Sequence, residues 1–124
     1  SSLGWASTKK LPIWYIVEDN NLSILTEKKV RRNWEMNRLA QAFNMRGVDC
    51  SDDPEDLWMQ LTESYVGAPV LLNVRTNRLF WHAGAGIDDP NTPDTHKKYI
   101  ERFGDKYVKE AEELVKEAWK KCLQ

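Results

Sequence analysis

The sequence predicts an α+β fold in which helices pack on a small antiparallel sheet. The chain has 124 residues, 41% hydrophobic and 30% charged, which is the composition of an ordinary globular domain. Two segments rich in β-branched and aromatic residues each contain a turn, as β-hairpins do. Between and after these segments, apolar residues recur at helical spacing. Hairpins joined by helices favour a layer of helices on one face of an antiparallel sheet.

The first hairpin is expected over residues 12–25. Its first strand is the apolar run 12–17, and residues 18–21 are the turn, because Asp and Asn tolerate the backbone angles of a tight turn. Residues 22–25 return as the second strand. The polar residues 1–10 predict a loose N-terminal segment, followed by a single domain over 11–124.

Two helices are expected next, over about 27–46 and 54–66. Thr26 is a good N-cap for the first helix, and Gly47 suits the position after its end. This helix would carry two opposite apolar faces, so one of them could face a partner. The second helix would begin at Asp53-Pro54, since Asp caps a helix and Pro fits its first position. Residues 48–53 are expected to be a linker.

The second hairpin is expected over about 69–83, and the last helix runs from about 93 or 105 to 122. Its apolar side chains recur every three or four residues over 107–122. Single strands do not alternate with single helices in this reading, so a doubly wound parallel sheet is not expected.

Charge and cysteine content narrow the classes of function. The chain carries 18 Lys and Arg against 19 Asp and Glu, so a nucleic-acid binder would need its basic residues clustered. Cys50 and Cys122 form no disulfide framework, which predicts reduced thiols and an intracellular, cytoplasmic protein. No run of about 18 apolar residues is present, so no membrane partner is expected. No motif indicates a cofactor.

Six tryptophans are the most unusual feature of the composition. Trp58 and Trp119 lie on apolar helix stripes, which predicts core positions. A sheet covered by one helical layer cannot bury aromatic residues on both faces, and an exposed aromatic patch marks a binding site. The sequence therefore predicts a non-catalytic binding or regulatory domain that acts through a protein–protein surface, with a protein partner or a second copy in a homodimer. The predicted anchors and rim are Trp14, Tyr15, Trp34, Phe80, Trp81, Arg31, Arg38 and Arg78.

An alternative reading is binding of RNA or single-stranded nucleic acid through the helix at 28–46. Basic side chains would contact phosphates, and Trp34 would stack on a base. The basic residues of this reading are Lys28, Lys29, Arg31, Arg32, Arg38 and Arg46.

A second alternative is a small metal-dependent hydrolase in the loop that joins the chain's two histidines. Imidazole and carboxylate side chains are common metal ligands. The candidate ligands are His82, Asp88, Asp94 and His96. Their spacing matches no ligand signature. Neither cysteine is a predicted nucleophile, because acidic neighbours raise the pKa of Cys50 and Cys122 lies on an apolar stripe. These observations favour binding over catalysis and leave no predicted catalytic residue.

Overall fold

A computed structural model describes residues 2–63, 68–78, 80–81, 84–85, 91 and 93–123. The chain divides into two compact units, Ser1–Asn91 and Thr92–Gln124. The helices of the first unit are α1 (Ser2–Lys9), α2 (Lys28–Arg31), α3 (Met36–Ala42) and α4 (Pro54–Glu63). Its strands are β1 (Trp14–Asp19), β2 (Leu22–Ser23), β3 (Thr26–Glu27), β4 (Arg46–Ser51), β5 (Val70–Arg75), β6 (Phe80–Trp81) and β7 (Gly84–Ala85). The second unit contains α5 (Thr95–Phe103) and α6 (Lys106–Cys122).

The mixed α+β composition is confirmed, but the main sheet is parallel. Its three strands lie in the order β1-β5-β4, and β5 pairs in parallel with both neighbours. The hairpin expected over 12–25 is corrected, because β1 pairs in parallel with β5, and the short strand β2 pairs antiparallel with β3 rather than with β1. The hairpin expected over 69–83 is corrected as well, since β6 pairs with β7.

Strand β5 lies at the centre of this sheet and is buried on both faces. Val70, Leu72 and Val74 form one core cluster, against which Leu57 and Leu61 of α4 pack. Leu71 points to the other face, where it packs with residues of α1 and α3. Right-handed connections place the crossover helices on opposite faces of a sheet with this strand order. Helices therefore cover both faces, whereas the sequence predicted a helical layer on one.

The helix expected over 27–46 is two short helices separated by an extended segment. Arg32, after α2, and Glu35, before α3, both have extended backbones. One of the two apolar faces expected for this helix is confirmed in its second half, because Met36, Ala40 and Phe43 pack against Leu71. Arg46 and Gly47, placed at the helix end by the sequence, belong to β4.

Two further segments differ from expectation. Residues 48–53 were expected to be a linker, but Val48 and Cys50 lie within β4 and contribute to the core. The N-terminal segment, expected to be loose, forms helix α1, and its Ala6 is buried. The predicted start of α4 at Pro54 is confirmed. Of the turn expected over 18–21, residues 18 and 19 belong to β1, and the chain turns at Asn20 and Asn21, with a positive φ of 63° at Asn21.

The second unit consists of two helices joined at Gly104, which has a φ of 78°. Asp94 caps α5 by accepting a hydrogen bond from the backbone amide of Lys97 at 3.0 Å. The expected apolar stripe of α6 is helical, but neither α5 nor α6 contains a buried residue. The apolar side chains of this unit that are exposed include Phe103, Tyr107, Leu114, Val115, Trp119 and Leu123.

Candidate functional site

Three polar side chains line up near the carboxyl ends of the parallel strands. Asp49 on β4 is the register partner of Asn73 on β5, and the Asn73 amide donates to Asp49 Oδ1 at 2.7 Å. The same amide group lies 3.5 Å from Oδ2 of Asp19, the last residue of β1. We call Asp19, Asn73 and Asp49 the polar row. Strand alternation places them on the face that carries α1 and α3.

Asp19 is the most heavily engaged member of the polar row. Its side chain is only 7% exposed, and its Oδ2 accepts from Lys28 Nζ and from Arg32 Nη2, both at 2.9 Å. Burial alone would raise the pKa of Asp19, but the hydrogen bonds from Lys28 and the Asn21 amide and the charges of both cations outweigh it. The pKa is therefore lowered from its ordinary value, and the carboxylate stays charged.

Arg32 is fixed between Asp19 and an aromatic ring. Its guanidinium carbon lies 4.9 Å from the centroid of the Trp34 ring, a cation–π distance. The side chain is 13% exposed. Within the part of the chain that the structure describes, two buried side-chain polar atoms lack a hydrogen-bond partner, and they are Arg32 Nε and Asn73 Oδ1. Asp19, at one end of the polar row, is therefore paired with a guanidinium group that has one unused donor.

A cleft of about 200 Å³ opens beside this group. Asp19 and Leu22 contribute to its walls together with three basic residues, Lys28, Arg31 and Arg32. The cleft lies where β1 ends, the edge at which open parallel sheets commonly bind ligands. It combines apolar side chains with three cationic and two anionic ones, and Asp19 already pairs with Lys28 and Arg32.

The segment that encloses the cleft also carries an exposed apolar surface. We call the side chains of Ile24, Leu25, Val30, Arg31 and Trp34 the cap surface. The four apolar members are 60%, 67%, 71% and 46% exposed, in that order. Helix α2 contacts both β2 and β3, so the members other than Trp34, which follows α2, belong to one substructure. Ile24, in the turn between β2 and β3, has a φ of 59°, which is strained for a β-branched residue.

The predicted protein-binding residues do not form one patch. Arg31 lines the cleft where β1 ends, and Trp34 packs on Arg32, another wall of that cleft. Trp14 begins β1 and is exposed on the opposite face of the sheet from Asp19. Tyr15 is half-buried in the core cluster around Leu71, and its hydroxyl donates to the Ser2 carbonyl at 3.2 Å.

The remaining predicted anchors lie elsewhere. Arg38 is exposed on α3, and Arg78 is half-buried after β5. The side chains of Phe80 and Trp81 lie outside the described residues. Trp58 and Trp119 were both predicted to be core residues. Trp58 is 71% exposed on α4, and Trp119 is exposed on α6 of the second unit.

The basic residues of the predicted nucleic-acid helix are largely paired with acids. Besides the two cations on Asp19, Lys29 lies 2.6 Å from Glu27, and Arg46 lies 3.7 Å from Glu63. Because the helix is broken, they do not form one continuous basic face. Arg31 and Arg38 are exposed.

Of the predicted metal ligands, His82 and Asp88 lie outside the described residues. Asp94 caps α5, and His96 is exposed on that helix. Among the residues that the structure describes, no three His, Cys, Asp or Glu side chains are grouped so as to hold a metal ion.

Cys50 is buried on β4, and Cys122 is exposed on α6. Burial, reinforced by the charges of Asp56 and Asp49, raises the pKa of the Cys50 thiol, as its acidic neighbours predicted. A buried thiol with a raised pKa is a poor nucleophile.

The sequence analysis did not identify the polar row, and it did not anticipate that Ile24 and Leu25 of the cap surface are exposed at a turn. One signal for the row was visible, since Asn73 interrupts an otherwise apolar buried strand, and a buried amide needs polar partners. The pairing of Asp19 with Asp49 through Asn73 had no local signal, because it depends on which strands become neighbours.

No protein-family model, no curated protein and no solved structure matches the chain. None of the helices in the described part of the chain has both the length and the apolar composition needed to span a membrane.

Proposed function

We propose that the chain is a non-catalytic binding or regulatory domain that recognises a protein partner, or a second copy of itself, through the cap surface. The observation that carries this proposal is the exposure of four large apolar side chains on one short excursion between β1 and α3. Contiguous exposed apolar side chains bordered by charge are typical of protein–protein interfaces.

The composition of the cap surface supports a protein partner. Trp and Arg are the residues that most often contribute large interface energies, and the cap surface contains Trp34 and Arg31 together with three exposed aliphatic side chains. The strained backbone of Ile24 adds support, because strain of this kind costs about 1–3 kcal/mol and concentrates at functional sites.

The charges near the cap surface favour binding over acid–base catalysis. A general acid or base works best with a pKa near the operating pH. The pKa of Asp19 is lowered, so it lies further from neutral pH than the pKa of an ordinary aspartate. Asp49 accepts hydrogen bonds from the side-chain amides of Asn37 and Asn73, which hold its carboxyl group in one orientation.

Pairing of the basic residues favours a protein over RNA or single-stranded nucleic acid as the partner. A basic side chain that neutralises a phosphate displaces a counterion from the nucleic acid, and this needs a side chain that is not already neutralised. Four of the six candidate basic residues are already in ion pairs with carboxylates. A nucleic-acid titration at two salt concentrations tests this choice. Binding that weakens steeply with salt and depends on Arg31 and Arg38 would replace the protein partner with a nucleic acid.

Trp34→Ala should weaken association without unfolding the domain. We expect sedimentation velocity over a wide range of concentrations to detect self-association, or affinity capture to recover a partner whose dissociation constant can then be measured. Loss of an interface hot spot of about 2 kcal/mol would weaken that constant about 30-fold.

Trp58→Ala is the matched control, because Trp58 is an exposed tryptophan on α4 outside the cap surface. It should leave the dissociation constant within about twofold. Equal weakening by the two variants would contradict the proposal. So would self-association that disappears in Trp119→Ala but persists in Trp34→Ala, since α6 would then be the interface.

Ile24→Asn should separate stability from binding. Asn adopts a positive φ more readily than Ile does, so we expect the free energy of unfolding to rise by about 1 kcal/mol in urea titrations. The same variant replaces an apolar contact with a polar one and should weaken association at least about tenfold. A variant that gains stability and binds as well as wild type would show that the cap surface is not the interface.

A further inference from the structure

The second unit contains an apolar groove that suits the cap surface of another copy of the chain. The groove has a volume of about 580 Å³ and opens between α5 and α6. The cap surface presents a turn whose Ile24 and Leu25 are 60% and 67% exposed. We propose that the cap surface docks in this groove of a second copy, and that the two copies exchange equivalent contacts. This inference rests on the proposed function and names its partner.

The groove is concave and apolar, so an exposed aliphatic turn can enter it. Tyr99 of α5 forms part of one wall, and the other wall is the apolar stripe of α6, with Tyr107, Val108, Ala111 and Val115. Tyr107 and Val115 are 62% and 68% exposed. An amphipathic helix owes most of its stability to packing of its apolar face. A partner that covers the groove would therefore stabilise α6 as well as bury the turn.

Each of the two surfaces carries an exposed charge that forms no salt bridge with a described residue. On the cap surface this charge is Arg31, and on the edge of the groove it is Glu112. His96 and Lys116 also line the groove, but the Lys116 Nζ already lies 2.7 Å from Glu113 Oε1. The two unpaired charges are opposite in sign, which is the arrangement that complementary interfaces have.

A second copy is a suitable partner because the contact can then be made twice. In a dimer with twofold symmetry, a contact from one residue to another is repeated in the reverse direction. Two different surfaces of one chain can therefore cover each other in both directions, which doubles the buried area. The doubling matters because stable interfaces bury about 1,200–2,000 Å², and a single contact with one turn and Trp34 is small.

Sedimentation velocity of the full chain over a wide range of concentrations tests the proposal through charge reversal. We expect wild type to self-associate. Arg31→Glu and Glu112→Arg should each weaken the dissociation constant at least about tenfold, because like charges then meet at both contacts. The double variant Arg31→Glu/Glu112→Arg reverses both members of the pair and should return the constant to within about threefold of wild type.

Arg38→Glu and Glu117→Arg are the matched controls. Arg38 is exposed on α3, outside the cap surface, and Glu117 is exposed on α6. Glu117 follows Glu112 by five residues, which places it roughly 140° away around the helix. Each control should leave the dissociation constant within about twofold of wild type, because neither side chain lies at the proposed contact.

A chain that stays monomeric at every concentration would overturn the proposal, and so would a double variant that associates no better than the single variants. Weakening by Glu112→Arg without weakening by Arg31→Glu would give the groove a different occupant and overturn it too. These results differ from a failure of the cap surface itself. Association that weakens in Trp34→Ala but not in Glu112→Arg keeps the cap surface and removes the groove as its partner.

Discussion

Replacing Asp19 by Asn should lower the free energy of unfolding by about 3 kcal/mol. The substitution keeps the shape of the side chain and removes its charge, so Lys28 and Arg32 are left partly buried without their shared counterion. Breaking a buried ion pair by removing one partner is among the most destabilising single changes. Urea unfolding of the two proteins at neutral pH measures the difference.

The effect of Asp19→Asn should depend on pH in a defined direction. Because the folded pKa of Asp19 lies below its unfolded value of about 3.9, its ionised form contributes stability above that value. This contribution is lost as the pH falls through the lower, folded pKa. The stability difference between wild type and Asp19→Asn should therefore be full at neutral pH and shrink in strong acid.

Glu35→Gln is the control for this prediction. Glu35 contacts the same lysine at 3.5 Å, but about half of its side chain is exposed. Exposed ion pairs contribute about 0–1 kcal/mol, so this variant should unfold close to wild type. A similar loss of stability in Glu35→Gln and Asp19→Asn would show that burial of the carboxylate is not what makes Asp19 important.

Gly47→Ala should destabilise the protein by about 3 kcal/mol through a steric conflict. A Cβ atom at this position would lie 2.8 Å from the carbonyl carbon of Asn37 and closer still to its oxygen. The first turn of α3 rests directly on β4 here, and a backbone cannot yield as a flexible side chain does. Any shift of α3 would also strain the hydrogen bond from Asn37 to Asp49, a member of the polar row. Thermal or urea unfolding measures the loss.

Arg46→Ala, one residue earlier on β4, is the comparison for Gly47→Ala. Arg46 is exposed, and its contact with Glu63 spans 3.7 Å, so the expected cost is within about 1 kcal/mol. If Gly47→Ala were no more destabilising than Arg46→Ala, close packing of α3 on β4 would not be a requirement of the fold.

Local patterns predicted the elements that depend on nearby residues. The start of α4 at Asp53-Pro54 and the turn at Asn20–Asn21 follow from side chains that satisfy neighbouring backbone groups. The apolar stripe of α3 was also readable, because helical spacing is a local property. Strand β4 was missed, since Gly47 and Asp49 have low strand propensity and the strand is held by pairing with β5.

The candidate site was only partly predictable for the same reason. Trp34 and Arg31 were singled out by residue type, and the structure places Arg31 in the wall of the cleft and Trp34 against Arg32. Trp14 and Tyr15, chosen by the same reasoning, point to opposite faces of the parallel sheet. Ile24 and Leu25 were assigned to a strand, so their exposure at a turn was not anticipated.

The sequence by itself determined that this protein combines helices with strands, that α4 begins at Pro54 and that the chain turns after β1. Only the tertiary structure decided that the main sheet is parallel, that helices cover both of its faces, and that Asp19, Asn73 and Asp49 meet at one edge. Caps and turns arise from contacts a few residues apart, whereas strand order is fixed by burial of β5 between partners more than twenty residues away in the chain. No local pattern encodes that choice.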